Sequence, residues 1–217
     1  MLLRSISKNS VLLGLFALVI AVGLALTYAG TRDHIEAAER AARQSALFEI
    51  IPRHLHDNDL LTDTRPIPAS AWPQLGLKQG GDMHIARYQG EVVAIIIPAI
   101  APDGYSGNIN LIVGINRDLS VAGVRIVAHN ETPGLGDKFE LKKGNWILSF
   151  DGKSLLNPAT ERWGVTKDGG VFDQFTGATI TPRAVVNQVK RVLEFVEQYQ
   201  ELLFSPAPPP SLTGQQP

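Results

Sequence analysis

The sequence predicts an α+β fold in which a single N-terminal transmembrane helix precedes one extracytoplasmic domain, a mainly antiparallel sheet flanked by helices. Three observations lead there. The segment from Val11 to Ala29 is almost wholly apolar, with no charge between Lys8 and Arg32. Four short runs rich in β-branched residues follow, each bounded by Gly, Pro, Asn or Asp. One long amphipathic run lies near the C-terminus.

Roughly 20 apolar residues in a helix cross a hydrocarbon core of about 30 Å, so the first run reads as an anchor. Thr27 and Ala29 are spaced like a signal-peptide cleavage site before Gly30, but the run is longer than a signal h-region of about 7–15 residues. Arg4 and Lys8 stand before the span with no acid nearby, whereas Arg32 is followed by Asp33 and Glu36. That bias orients the N-terminus to the cytoplasm and the rest to the outer face. Removing Arg4 and Lys8 from 20 bases and 21 acids leaves 18 against 21, or −3 outside. No polybasic patch then binds anionic lipid.

The stretch Thr31 to about Ile51 carries Ile35, Ala38, Ala42, Ala46 and Ile50 at helical spacing, and Pro52 ends it. His54 to Gly81, with Pro66, Pro68 and Pro73, reads as loop with short elements. Strands are predicted over Met83–Tyr88, Glu91–Ile97, Ile109–Ile115 and Val121–Ala128, with hairpin turns at 87–91 and 116–120. After a loop from Phe172, Pro182 suits a first helical position with Thr181 as the cap. Val185, Val189, Val192, Val196 and Tyr199, flanked by Val186, Leu193 and Leu203, form the stripe that packs on the sheet. The tail after Phe204 has three consecutive prolines and no periodicity, which predicts disorder. The boundaries are therefore 1–30 for the N-terminus and anchor, 31–204 for the outer domain and 205–217 for the tail.

The chain has no cysteine, which excludes disulfides, Cys-ligated clusters, C-x-x-C-H haem attachment and a thiol nucleophile. A net charge of −1 gives no attraction for nucleic-acid phosphates. Gly152-Lys153-Ser154 lacks the earlier glycine of a P-loop, since Ile147 stands there, and Asn108 replaces the last glycine of a nucleophile elbow begun by Gly104. His54, His56, Asp57 and Asp59 read as a solvated loop, with no metal site. No catalytic constellation remains.

Three glycine-rich segments exceed what ordinary turns require: Gly104–Ile109 (GYSGNI), His129–Gly136 (HNETPGLG) and Asp173–Pro182 (DQFTGATITP). In the third, Gly177 and Ala178 expose Thr179 just ahead of a helix whose first turn offers unpaired N–H groups. A phosphate there meets the positive end of the helix dipole, although a hydroxyl-rich capping loop accounts for the same residues.

The segment D-Q-F-T-G-A-T resembles the flavinylation motif D-x-x-[ST]-G-A-T of the FMN-binding domains that carry flavin through a phosphoester to the last threonine. With GYSGNI, HNETPGLG and one N-terminal anchor in the same order, the chain up to Phe204 resembles the RnfG (RsxG) family of the Rnf ion-translocating oxidoreductase complexes. The resemblance implies that Thr179 accepts FMN covalently. It also implies that Asp173, Thr176, Gly177 and Ala178 are read by a flavin transferase that moves FMN from FAD. Thr181 is a weaker acceptor candidate. Glu131, Thr132, Pro133, Gly134 and Leu135 are expected to form a loop against the ring. Tyr105, Ser106 and Gly107 either line the same cleft or only turn the chain into the next strand. His129 is read as an orienting or buried histidine, and Trp72, Trp146 and Trp163 as core or rim residues, one of which could stack on the flavin. The implied role is electron relay among other membrane subunits of a complex linking ferredoxin and NAD to ion movement, in a bacterial inner membrane with the main domain periplasmic. The competing readings are the related C subunit of a sodium-pumping NADH:quinone oxidoreductase, with the same flavin link, and an anchored non-redox binding or sensory module.

Overall fold

The computed structural model describes residues 2–205; for 2–9, 11, 29 and 33–43 it describes the backbone alone. The proline-rich tail and the side chains of Ile35, Ala38 and Ala42 therefore lie outside the described residues. The chain divides into two units, 1–45 and 46–217.

The first unit is helical. Helix α1 runs Leu2–Ile50, and its segment Leu12–Arg32 is long and apolar enough to cross a membrane. Leu12, Leu13, Phe16, Leu24 and Leu26 are exposed along it, as an anchor facing lipid requires. Thr27 and Thr31 donate their hydroxyls to the carbonyls of Gly23 and Thr27, each at 2.8 Å, which satisfies them inside an apolar span.

The second unit is built on a five-stranded antiparallel meander in the order β1 (Thr64–Pro66), β2 (Asp82–Tyr88), β3 (Glu91–Gly104), β4 (Gly107–Asn116) and β5 (Val121–Ala128). Sequential neighbours pair throughout; β2, β3, β4 and β5 follow one another through connections of two, two and four residues, whereas β1 and β2 are joined by the longer segment 67–81. At the β2–β3 turn both Gln89 and Gly90 have positive φ, 53° and 83°, the backbone twist that two-residue hairpins need.

Strand β3 is longer than its sequence suggests. The prediction stops before Pro98, yet the strand continues to Gly104 and pairs Pro98 with Ile112. Strand β2 pairs with β3 only as far as Ile96, so at Pro98 β3 is paired with β4 alone, a position that tolerates proline. Its run of apolar residues is buried on both faces. Ile95, Ile97, Ala99 and Ala101 face the main core, whereas Ala94 and Ile96 join Leu47, Ile50, Ile51 and Leu60 on the other side. The end of α1 covers that second face. Gly114 makes room for it, since a Cβ there would stand 2.2 Å from Ile50 Cγ2.

Helices α2 (Trp72–Leu75), α3 (Ile180–Gln198) and α4 (Gln200–Leu203) complete the unit. The predicted stripe of α3 packs on the sheet: Val185, Val186, Val189, Val192, Leu193 and Val196 are buried. Two details depart from the prediction. The helix begins at Ile180, so Thr179 is its cap and Pro182 its third residue. A proline costs no hydrogen bond there, because first-turn N–H groups have no partner four residues back. Strand β1 is not legible in the sequence because it has three residues, one of them Pro66. Its central Arg65 is buried, and burial together with nearby Arg87 lowers its pKa. It donates to the carbonyls of Leu202 and Leu203, at the end of α4, and of Ser205 just beyond it. The loop after α1 is also less solvated than expected, since His56 is buried, stacks on Phe48 at 5.8 Å and has Nδ1 2.9 Å from the Asn58 carbonyl.

Candidate functional site

The three glycine-rich segments meet. Tyr105, Glu131, Thr132, Leu135, Gly136, Gly177, Ala178, Thr179, Ile180 and Thr181 line one open cleft of about 240 Å³. The first segment is the two-residue turn joining β3 to β4, where Gly104 pairs with Gly107 and Gly107 has φ 108°. Both alternatives left open by the sequence therefore hold for Tyr105: it belongs to a hairpin turn and lines the cleft, and the residue is 70% exposed. Ser106 is not part of the lining, but its backbone N–H donates to Glu131 Oε1 at 2.9 Å.

The second segment is a compact turn. The N–H groups of Leu135 and Gly136 donate to the Thr132 carbonyl at 3.2 and 3.0 Å, and Gly134 takes φ 79°. Pro133 and Gly134 sit at its exposed tip, outside the cleft lining. Glu131, at its base, is only 4% exposed, and its Oε2 accepts the hydroxyl of fully buried Thr181. His129 orients the turn from behind. Its Nδ1 accepts the Glu131 N–H at 3.0 Å and its Nε2 lies 3.1 Å from Glu140 Oε1, so the pattern assigns the proton to Nε2.

A charged pair fastens the same turn. Asp137 accepts from the Gly134 N–H at 2.9 Å and from Lys143 Nζ at 2.6 Å. The Lys143 ammonium, then the Gly134 N–H, hold the Asp137 carboxyl below its ordinary value of 3.8. A depressed carboxyl stabilises the fold fully above its unfolded pKa and loses that contribution as pH falls through the folded value. The Lys143 amine is raised by its bonds to Asp137 and Glu140, so its contribution is present below 10.5 and fades above it. The denaturation midpoint should thus be flat through neutral pH as far as this pair is concerned and decline below about pH 4. Asp137→Asn should flatten the acid decline; an equally steep one in that variant would contradict the assignment.

The third segment is pinned before it is exposed. The Asp173 carbonyl accepts Trp146 Nε1 at 2.7 Å, the Gln174 side chain accepts from Thr166 and from the Lys167 N–H, and Phe175 is buried against Trp146 and Phe139. The chain then turns through Thr176 and Gly177, with φ 83° at Gly177, and the Ala178 N–H donates to the Phe175 carbonyl at 3.0 Å. Asp173 and Thr176 are exposed and lie outside the cleft lining, on the turn's outer side. Thr179 is half-buried in the cleft wall, and its side chain makes no capping bond to α3.

Sequence reasoning treats Thr181 as a cap or a weaker acceptor and leaves Gly136 and Ile180 out of the site. Thr181 carries a readable signal: it lies four residues before Val185 on the buried stripe of α3, so its hydroxyl needs a partner inside. Neither Trp72, Trp146 nor Trp163 lines the cleft. Trp72 donates to the Ile67 carbonyl and Trp163 to the Ser154 carbonyl, while Trp146 supports the third segment.

Comparison with known proteins finds matches to both parts of the chain. Residues 104–194 match the FMN-binding domain, a span that contains all three segments, and residues 1–50 match the RnfG N-terminal region. The chain is 46% identical over 204 residues to the G subunit of the ion-translocating oxidoreductase complex of Vibrio atlanticus, covering 94% of this chain and 96% of that protein. It is 49% identical over 204 residues to the G subunit of the corresponding complex of Pseudomonas aeruginosa strain UCBPP-PA14, covering 94% of each. With the G subunit from Aliivibrio fischeri it shares 44% over 202 residues, covering 93% and 95%. An RnfG N-terminal region and an FMN-binding domain matched in one chain, together with relatives aligned over nearly their whole length, show that the chain belongs to the RnfG family, the G subunits of ion-translocating oxidoreductase complexes.

Proposed function

We propose that the protein is the FMN-bearing electron-transfer subunit of an Rnf-type complex, with its flavin held by a phosphoester to Thr179. The observation that carries this reading is the cleft itself, in which three separate glycine-rich segments converge on one half-buried threonine at the start of α3.

The residues present fit the group. Among the described residues no Lys or Arg lines the cleft, and Arg183 in the first turn of α3 is tied to Asp168 by two bonds of 2.6 and 2.9 Å. The remaining positive pole is the N-terminus of α3, equivalent to roughly half an elementary charge. That suits the single negative charge of a phosphodiester better than the double charge of a free phosphate monoester. The cleft is also below the roughly 300–1,000 Å³ of pockets that bury a ligand of this size, so it encloses part of the cofactor and a covalent tether retains the rest. Tyr105, Leu135 and Ile180, all exposed apolar side chains at the cleft, offer the surface for the uncovered ring.

Bound FMN supplies a redox centre that takes up electrons and passes them on. Thr179 anchors it, the α3 N-terminus neutralises its phosphodiester, and the 131–136 turn with Tyr105 forms the wall beside it. A flavin transferase reads the exposed Asp173-x-x-Thr176-Gly177-Ala178-Thr179 turn. The bias of Arg4 and Lys8 before the anchor supports a domain on the periplasmic side of the inner membrane, from which electrons pass to and from other membrane subunits. A single span builds no ion path, so ion movement falls to those partners.

Denaturing gels of membranes containing the intact complex test the reading. A fluorescent flavin band should migrate with this chain, and a reporter fused after Phe204 should be active only outside the cytoplasm. A non-fluorescent chain, or a reporter active in the cytoplasm, would overturn the corresponding part.

A further inference from the structure

We infer that Glu131 and Thr181 are positioning residues that hold the Thr179 hydroxyl where the flavin-transfer step needs it; the inference rests on the reading of Thr179 as acceptor. Among the described residues Glu131 is the one acidic residue lining the cleft, and it is buried with both carboxylate oxygens engaged. Oε1 takes the Ser106 N–H of the β3–β4 turn, Oε2 takes the Thr181 hydroxyl of α3, and the Glu131 N–H is fixed on His129. One side chain thus ties together all three glycine-rich segments.

The same carboxylate explains one glycine and bears on another. A Cβ on Gly136 would stand 3.0 Å from Glu131 Oε2 and 3.2 Å from Thr181 Oγ1. A Cβ on Gly104 would first meet the Gly107 carbonyl oxygen at 2.3 Å and then Glu131 Oε1 at 2.9 Å, so that glycine serves both the hairpin turn and the carboxylate. Thr179 depends on this clamp because its own side chain makes no capping bond and its direct tie to α3 is one long backbone bond, the Arg183 N–H donating to the Thr179 carbonyl at 3.3 Å. Its position is set by the chain on either side, by the Phe175–Ala178 bridge before it and by buried Thr181 two residues after it. Releasing Thr181 from Glu131 frees the first turn of α3 to shift, and Thr179 shifts with it.

The step being positioned balances as a phosphoryl-type transfer. The Thr179 oxygen forms a bond to the phosphorus that bears the riboflavin moiety of FAD, and the pyrophosphate P–O bond breaks. Adenosine monophosphate leaves with the bonding pair, and the hydroxyl proton passes to the transferase or solvent. No oxidant or reductant takes part. Both oxygens of Glu131 are turned to the Ser106 N–H and the Thr181 hydroxyl, so the role assigned to it is to place the nucleophile.

The test uses the full-length chain produced without the transferase, purified in detergent, then incubated with purified transferase and FAD. Loading is followed by in-gel fluorescence and by release of adenosine monophosphate. Thr181→Val and Glu131→Ala should each lower the kcat of loading by roughly tenfold to a hundredfold, because small misplacements of a nucleophile cost that much, with KM for the chain unchanged. The double variant should be no slower than the slower single one, since both remove one link. Glu131→Gln should recover most of the rate, its carbonyl accepting the Ser106 N–H and its amide donating to the Thr181 oxygen. If Glu131→Ala does not fold, Thr181→Val and Glu131→Gln still decide. Loading of Thr181→Val at the wild-type kcat, a rise in KM alone, or additive losses in the double variant would overturn the inference. A wild-type chain that is not loaded, or is loaded elsewhere, would instead overturn the reading of Thr179.

Discussion

Thr179→Val should remove covalent flavin completely while leaving the fold intact. Valine has nearly the shape of threonine and lacks only the hydroxyl that the phosphoester needs. The Thr179 side chain makes no capping bond, so the exchange removes no hydrogen bond from α3, and the denaturation midpoint should stay close to wild type. Thr179→Ser keeps a hydroxyl on the same carbon and should retain a fluorescent band on denaturing gels. A fluorescent band from the valine variant would assign the linkage elsewhere.

The largest stability effect is expected at Phe150, far from any polar chemistry but beneath the site. Its ring is fully buried, stacked on Phe172 at 4.6 Å and met edge-on by Trp146 at 5.3 Å, with Trp163 at 6.3 Å. Trp146 in turn holds the Asp173 carbonyl and packs on Phe175, so this aromatic cluster is the floor under the D-x-x-T-G-A-T turn. Phe150→Ala should cost about 3–5 kcal/mol in urea denaturation, because the surrounding rings cannot collapse into the space left behind. It should also loosen the turn, seen as slower loading of FMN. A loss below about 1 kcal/mol would show that the rings do not form one packed unit.

The parts of the fold that repeat along the chain are legible in the sequence. The β-branched runs of β2, β4 and β5 and the valine stripe of α3 follow the periods of a half-buried strand and helix, and the structure reproduces them with ends moved by a residue or two. What is not legible depends on contacts between segments distant in sequence. The extension of β3 through Pro98 depends on where β2 stops pairing, and β1 depends on Arg65 reaching the end of α4. The same division holds at the site. Glycine-rich composition marks the three segments, but the carboxylate joining them spans 25 residues to Ser106 and 50 to Thr181. Threonine before proline suits a helix cap, which is why Thr181 reads as one; its place on the buried stripe is the better guide.

The missing cysteines acquire a definite meaning in this account. A chain with no thiolate to hold a metal cluster or a haem would, under the proposed phosphoester, carry its redox group through a hydroxyl, and Thr179 offers one in the cleft wall at the start of α3.

The most direct test of that account is fragmentation mass spectrometry of the tryptic peptide between Lys167 and Arg183, taken from chain purified with its complex. This one peptide, Asp168 to Arg183, contains Thr176, Thr179 and Thr181. The mass added should equal FMN less one water and reside on Thr179 alone. An adduct on Thr176 or Thr181, or an unmodified peptide from a flavin-containing complex, would contradict it.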